Sequence, residues 1–104
     1  MTQFDVHRNP AGQGRENIPY VVDIQSDLLS NLPTRLIAPL IRASAFGMPV
    51  GRLHPRFVVE DTAVVMLTTE IGVLPPRALG GAVASLEDRR HEIVGAIDML
   101  VTGI

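Results

Sequence analysis

Phe57-Val58-Val59-Glu60-Asp61-Thr62-Ala63-Val64-Val65-Met66-Leu67 is the stretch whose reading decides the fold. Two runs of β-branched and apolar residues flank a polar three-residue break, Glu60-Asp61-Thr62, and this pattern predicts a β-hairpin with central strands. The same signal recurs toward the N-terminus. Phe4-Asp5-Val6-His7 alternates apolar and polar residues, and Tyr20-Val21-Val22-Asp23-Ile24 is a second strand. Asn9 to Asn17, broken by Pro10, Gly12 and Gly14, is the turn that joins them into a hairpin. Thr34 to Ile41 reads as a further strand, with Pro39 favouring an edge or a bulge because proline has no backbone donor. Ala45–Pro55 and Gly72–Gly81 hold too many glycines and prolines for anything but loops or short irregular strands. No internal repeat or interdomain linker interrupts the chain.

Beyond Gly81 the period changes. Leu86, Ile93, Ile97, Leu100 and Ile104 follow spacings of seven, four, three and four, which places them on one helical face. A helix over about 86–101 is predicted. Ser85 stands as its cap, Ser85-x-x-Asp88 has the outline of a capping box, and Glu87 and Asp88 suit the positive end of the helix dipole. Gly95 in the helix interior suggests close packing at that point. Gly103 ends the helix and leaves Ile104 as an apolar last residue.

At 104 residues the chain fits one domain, read as 1–104. Its 46% hydrophobic content and mean hydropathy of +0.25 exceed the needs of one small core, so a homodimer is expected. A net charge of −2, with no basic run longer than Arg89-Arg90, disfavours direct nucleic-acid binding. The lack of cysteine removes disulfides, thiol nucleophiles and thiolate zinc sites. The residues Met1-Thr2-Gln3-Phe4-Asp5 have neither a basic head nor an apolar run, and no apolar stretch approaches the roughly 20 residues of a membrane span. The expectation is a cytoplasmic protein with no membrane association.

The chemistry-bearing residues form no catalytic pattern. His7, His54 and His91 sit on different elements without ligand spacing, so neither metal nor cofactor is expected. Ser26 lacks the glycine elbow of a serine hydrolase and reads as a cap or a partner contact. Gly12-x-Gly14 reads as a turn rather than a dinucleotide loop. Glu87-Asp88-Arg89-Arg90 reads as a solvated helix face of alternating sign. The apolar ending Met99-Leu100-Val101-Thr102-Gly103-Ile104 stands apart, since chain ends are usually polar. Ile104 is then either a core residue folded back or a probe for another protein.

Val22-Asp23-Ile24-Gln25-Ser26-Asp27-Leu28-Leu29 resembles the V-D-x-Q-S-D segment, followed by two aliphatic residues, of the CcdB toxin family. Arg35-Leu36-Ile37-x-Pro39-Leu40 is similar to that family's arginine strand, Met66-Leu67-Thr68-Thr69 to its M-x-T-T segment, and Pro75 to its loop proline. Glu92-Ile93, Ala96-Ile97 and Gly103-Ile104 complete the resemblance, which runs from Gln3-Phe4 to the end. It implies a β-rich (all-β/α+β) fold: a small SH3-like barrel of the CcdB/MazF toxin type with a small extra sheet and a long C-terminal α-helix. It also implies a homodimer whose helices end side by side.

The function so implied is that of a toxin with no catalytic site. It binds the A-subunit of DNA gyrase and traps the cleaved DNA–gyrase complex, and a cognate CcdA-like antitoxin, partly disordered, neutralises it. Operator DNA is bound only through that antitoxin. Carried over by position, Gly103 and Ile104 are the first gyrase-contacting residues. Ser26, Leu28 and Leu29 lie beside the helix ends, and Asp98, Val101 and Thr102 lie on the last turns. Thr102 stands where a well-known member has a tryptophan able to stack on a gyrase arginine, and Val101 likewise replaces an aromatic. A lost cation–π contact of this kind costs roughly 0.5–2 kcal/mol. Two rival functions follow. One is a ribonuclease of the MazF/Kid type, which shares the barrel and would use Arg35 with Asp23 or His54. The other is a degenerate toxin that acts only as an antitoxin-bound co-repressor.

Overall fold

The protein, described here as a computed structural model, is defined for residues 2–11 and 14–103. Its strands are β1 (Asp5–Arg8), β2 (Tyr20–Asp23), β3 (Arg35–Arg42), β4 (Arg56–Val59), β5 (Thr62–Met66), β6 (Gly72–Leu74) and β7 (Ala82–Ser85), followed by one helix, α1 (Arg90–Thr102). All pairings are antiparallel, in the order β4-β5-β3-β2-β1-β7, with β6 pairing β3 beside the end of β5.

The sheet is curled. In a flat sheet β1 and β4 would lie roughly 19 Å apart, four inter-strand spacings of about 4.8 Å. Yet Arg8, at the end of β1, reaches Glu60 at the β4–β5 turn at 3.1 Å, and Tyr20 Oη donates to the same carboxylate at 2.6 Å. The concave face carries the core. Phe4, Val6, Val22, Ala38, Leu40, Phe57, Val59, Val64 and Met66 meet Leu86, Ile93 and Ala96 there. Alternation along each strand accounts for this, with Phe57 and Val59 facing in while Arg56 and Val58 face out. Complete burial of Ile93 stabilises the packing of α1 by about 1.5–3 kcal/mol. A smaller cluster, Val21, Ile37 and Leu79, lies on the convex face, where His7 Nδ1 bonds Gly80 O at 2.8 Å.

Several expectations are corrected. The Phe57 hairpin forms, but β4 lies at the rim because β5 takes its second partner, β3, on the far side. Its turn has two residues, Glu60 and Asp61, both with positive φ (48° and 63°), and Thr62 already pairs with Val59. That is the twist a two-residue hairpin requires, here without glycine or asparagine. Pro39 sits inside a central strand rather than at an edge. Pro39 O accepts from Leu67 N at 2.9 Å, so its nitrogen faces the same side, where β5 has ended and β6 has yet to begin. The missing donor falls at that handover.

The α-helix begins at Arg90, not 86. A 3₁₀ turn, Glu87–Arg89, precedes it, and Ser85 Oγ accepts from Glu87 N at 3.2 Å, so the serine caps the turn rather than the helix. Leu86 is buried just before this turn. Gly95 is not closely packed: a Cβ there would meet nothing within 4 Å. The 87–90 segment is only partly a solvated face. Arg90 pairs with Glu87 at 2.9 Å, but Arg89 lies over the Phe57 ring, 5.0 Å from its centroid. β7 was unexpected, since its small residues Ala82-Val83-Ala84-Ser85 carry a weak strand signal.

Candidate functional site

The V-D-x-Q-S-D segment builds a cage and a tip. Asp23 is fully buried and receives Arg35 Nε at 2.8 Å, while Arg35 Nη2 stands 2.7 Å from the same oxygen, Oδ2. Arg35 is itself 2% exposed, which makes this an ion pair inside the protein. Asp23 Oδ1 also accepts from Gln25 N at 3.0 Å. The Gln25 amide then spans two elements, donating to Leu29 O at 2.8 Å and accepting from Leu36 N at 3.0 Å. Asp27 accepts from Gln3 N at 2.8 Å, and Gln3 in turn donates to Ile24 O. Every polar residue of the segment is spent on holding backbone.

What this cage holds is a 3₁₀ turn, Asp27–Leu29, with Ser26 Oγ accepting from Leu28 N at 3.2 Å. Ser26 is therefore a cap. The turn presents Leu28 at 93% exposure and Leu29 at 51%, with Leu32 close behind in sequence at 47%. A leucine held in water by a buried network does not serve the fold, and such exposure fits a partner surface.

The end of α1 is built differently. Its buried face consists of Ile93 and Ala96, with Ile97 half-buried; beyond that the helix emerges from the core. Leu100 is 43% exposed and Val101 76%, and Asp98, Thr102 and Gly103 are exposed as well. Thr102 Oγ1 donates back to Asp98 O at 2.7 Å. Gly103 adopts φ 76°, and its N–H donates to Met99 O at 2.9 Å. This left-handed cap is the helix ending expected at that glycine. Ile104 lies outside the described residues.

The helix rests on the segments 51–53 and 68–70, and not to a comparable extent on the leucine turn. Within one chain, Ser26, Leu28 and Leu29 thus belong to one exposed element and Asp98, Val101, Thr102 and Gly103 to another. Sequence reasoning missed Leu36 and Val73, cross-strand neighbours on β3 and β6 that are 36% and 60% exposed. Leu36 alternates in phase with the buried Ala38 and Leu40, so no local signal marks it as exposed. It also missed the structural part played by Gln25, whose side chain ties Leu29 to Leu36 on the neighbouring strand.

The residues of the ribonuclease alternative are not disposed as a catalytic group. Arg35 and Asp23 neutralise each other in the interior. His54 is nine-tenths buried beside Phe46, and its Nδ1 accepts from Val50 N at 2.9 Å. Among the described residues no three His, Cys, Asp or Glu side chains form a metal-binding group, and no helix is long and apolar enough to cross a membrane.

One family model, that of the CcdB protein, matches residues 3–103. The match takes in the caged leucine turn, every strand of the curled sheet and the helix up to its glycine cap. Covering nearly all of the 104 residues, it places the chain in the CcdB family, the toxins of toxin–antitoxin pairs.

Proposed function

We propose that this protein is the toxin of a type II toxin–antitoxin system, that as a homodimer it binds the A-subunit of DNA gyrase, and that it traps gyrase on cleaved DNA. The observation that carries this reading is the exposed apolar helix tip, with Val101 at 76% and Leu100 at 43%, stiffened by the Gly103 cap. Gly103 and Ile104 are the leading contacts. Asp98, Val101 and Thr102 flank them, and Ser26, Leu28 and Leu29 form a second contact. In this reading the strand break is made by gyrase, and the toxin supplies only binding energy that favours the cleaved state. Dimer formation would bury part of the remaining exposed apolar surface, and it is at the dimer level that the separate leucine turn and helix tip would act together. A cognate CcdA-like antitoxin neutralises the toxin in the cytoplasm, and operator DNA is contacted through that antitoxin.

The test is a supercoiling and cleavage-complex assay with purified gyrase. It compares the full chain with one ending at Thr102. Trapped cleaved DNA with the full chain, lost on truncation, is the expected result. No trapped DNA with the full chain would refute the gyrase reading. It would favour the co-repressor reading, to which Thr102 points because its hydroxyl turns back onto Asp98 and offers no aromatic face. Operator retention by the toxin–antitoxin complex would then be the activity to measure.

A further inference from the structure

β4 is the rim of the sheet: β5 pairs it on one side, and no strand among the described residues pairs it on the other. The hairpin sets which backbone groups face outward. Val59 and Thr62 flank a two-residue turn and form a hydrogen-bonded pair, Phe57 and Val64 form the next, and the bond from Met66 N to Pro55 O at 3.0 Å continues the alternation. Arg56 and Val58 therefore turn their amides and carbonyls away from β5. Arg56 O is taken by Arg89 Nη2 at 3.2 Å. The Arg56 amide and both backbone groups of Val58 have no protein partner among the described residues. Proteins usually protect such a rim, because it is a template for another strand.

The side chains beside this rim set its chemistry. Arg56 is exposed and forms no ion pair among the described residues. Arg89, which pairs with Glu92, lies over Phe57 and next to the same rim. Between the 49–56 loop and the first turns of α1 a cavity of about 450 Å³ opens, lined by Arg52, His54, Arg56 and Arg89, with Glu92 as the one acid among the described residues. The His54 ring accepts through Nδ1, so Nε2 carries the proton and remains a donor. A second hollow shares Arg56 and Arg89 and runs along β4 past Val58, which is 68% exposed. The chain as a whole is acidic, so this cationic strip is local.

We propose that the rim of β4 receives an acidic peptide in extended conformation, which adds to the sheet as a further strand. Its main chain would bond the free groups of Arg56 and Val58, and its carboxylates would meet the guanidinium groups of Arg56 and Arg89. A second copy of this chain is a poorer fit at the same place, because its own β4, Arg56-Phe57-Val58-Val59, brings a further arginine and no carboxylate of its own. The surface shares no described residue with the leucine turn or the helix tip and does not depend on the gyrase reading.

The probe is a blocked hexapeptide of alternating glutamate and valine, titrated into the ¹⁵N-labelled full chain. Three controls accompany it: the lysine–valine counterpart, a backbone N-methylated form, and the protein variant Arg56→Glu. The expected result is saturable shifts at the Arg56 and Val58 amides, slowed exchange at Val58, and weakening with salt. The lysine and N-methylated peptides should bind at least about tenfold more weakly, and so should the glutamate peptide to Arg56→Glu. The proposal is overturned by equal binding of both charge types, by indifference to N-methylation, by no saturation at millimolar peptide, or by concentration-dependent protection of Val58 without peptide. Because Arg56 lies outside the tip, Arg56→Glu should trap gyrase as the parent does, so failure here and failure of the gyrase reading remain distinguishable.

Discussion

Replacing Asp23 by alanine tests the claim that the leucine turn is held by a buried electrostatic cage. The Asp23 carboxylate is fully buried and bonds Arg35 through Oδ2 and Gln25 N through Oδ1. Asp23→Ala leaves the Arg35 guanidinium, 2% exposed, with only the half-exposed Asp27 carboxylate, 4.0 Å away, as counter-charge. Removing one partner of a buried pair costs about 3–5 kcal/mol, a large share of the roughly 5–15 kcal/mol that stabilises a domain of this size. With a urea slope of roughly 1–3 kcal/mol/M, the unfolding midpoint should fall by roughly 1–5 M at fixed protein concentration. The double variant Asp23→Leu/Arg35→Met removes both charges and should regain most of that loss, since apolar replacement of a whole buried pair is often neutral. It should still loosen the turn, because Gln25 loses an anchor, and hydrogen exchange at the Leu28 and Leu29 amides should quicken. A loss below about 1 kcal/mol for Asp23→Ala would mean that Arg35 reaches water or another acceptor, and the cage argument would fail.

Three further predictions follow from single sites. Gly95→Ala should raise stability by about 0.5–1 kcal/mol in urea unfolding, because the new methyl meets nothing and alanine favours the helix. Gly103→Ala should strain the left-handed cap by about 1 kcal/mol, fray the last turn in hydrogen exchange and weaken gyrase trapping. Burial first, then its bond to Glu60, raises the Tyr20 phenol above the usual tyrosine value. A raised folded value means stability that is whole below the unfolded value near 10 and lost as pH climbs past it. Tyr20→Phe should therefore cost roughly 1.5–3 kcal/mol at neutral pH, as the loss of a bond to a carboxylate, and should flatten the decline measured on the alkaline side.

Local pattern carried the strands and the helix, and long-range pairing carried what was misread. Phe57–Leu67 announces a hairpin, but nothing within it says that β5 will take β3 and leave β4 at the rim. Glu60 and Asp61 do not advertise positive φ as glycine or asparagine would, so the turn reads one residue too long. Pro39 signals a missing donor correctly, yet whether that lands on an outer strand or at a change of neighbour depends on where β5 stops. For the site, composition marked the apolar chain end, which could be core or probe, and only the family resemblance marked the paired leucines. The Asp23–Arg35–Gln25 network was not legible, since its ion pair and the Leu36 N–Gln25 bond become visible only when β2 and β3 are brought side by side.

The buried face of α1 ends at Ile97, and that boundary separates two kinds of selection. Asp98, Leu100, Val101 and Thr102 are exposed, so substitutions there weigh little on the core and register mainly in which partner is recognised and how tightly, whereas Met99 is half-buried and Gly103 holds the cap. A randomised library confined to those four exposed positions would sample recognition, with the core of the scaffold as a constant background.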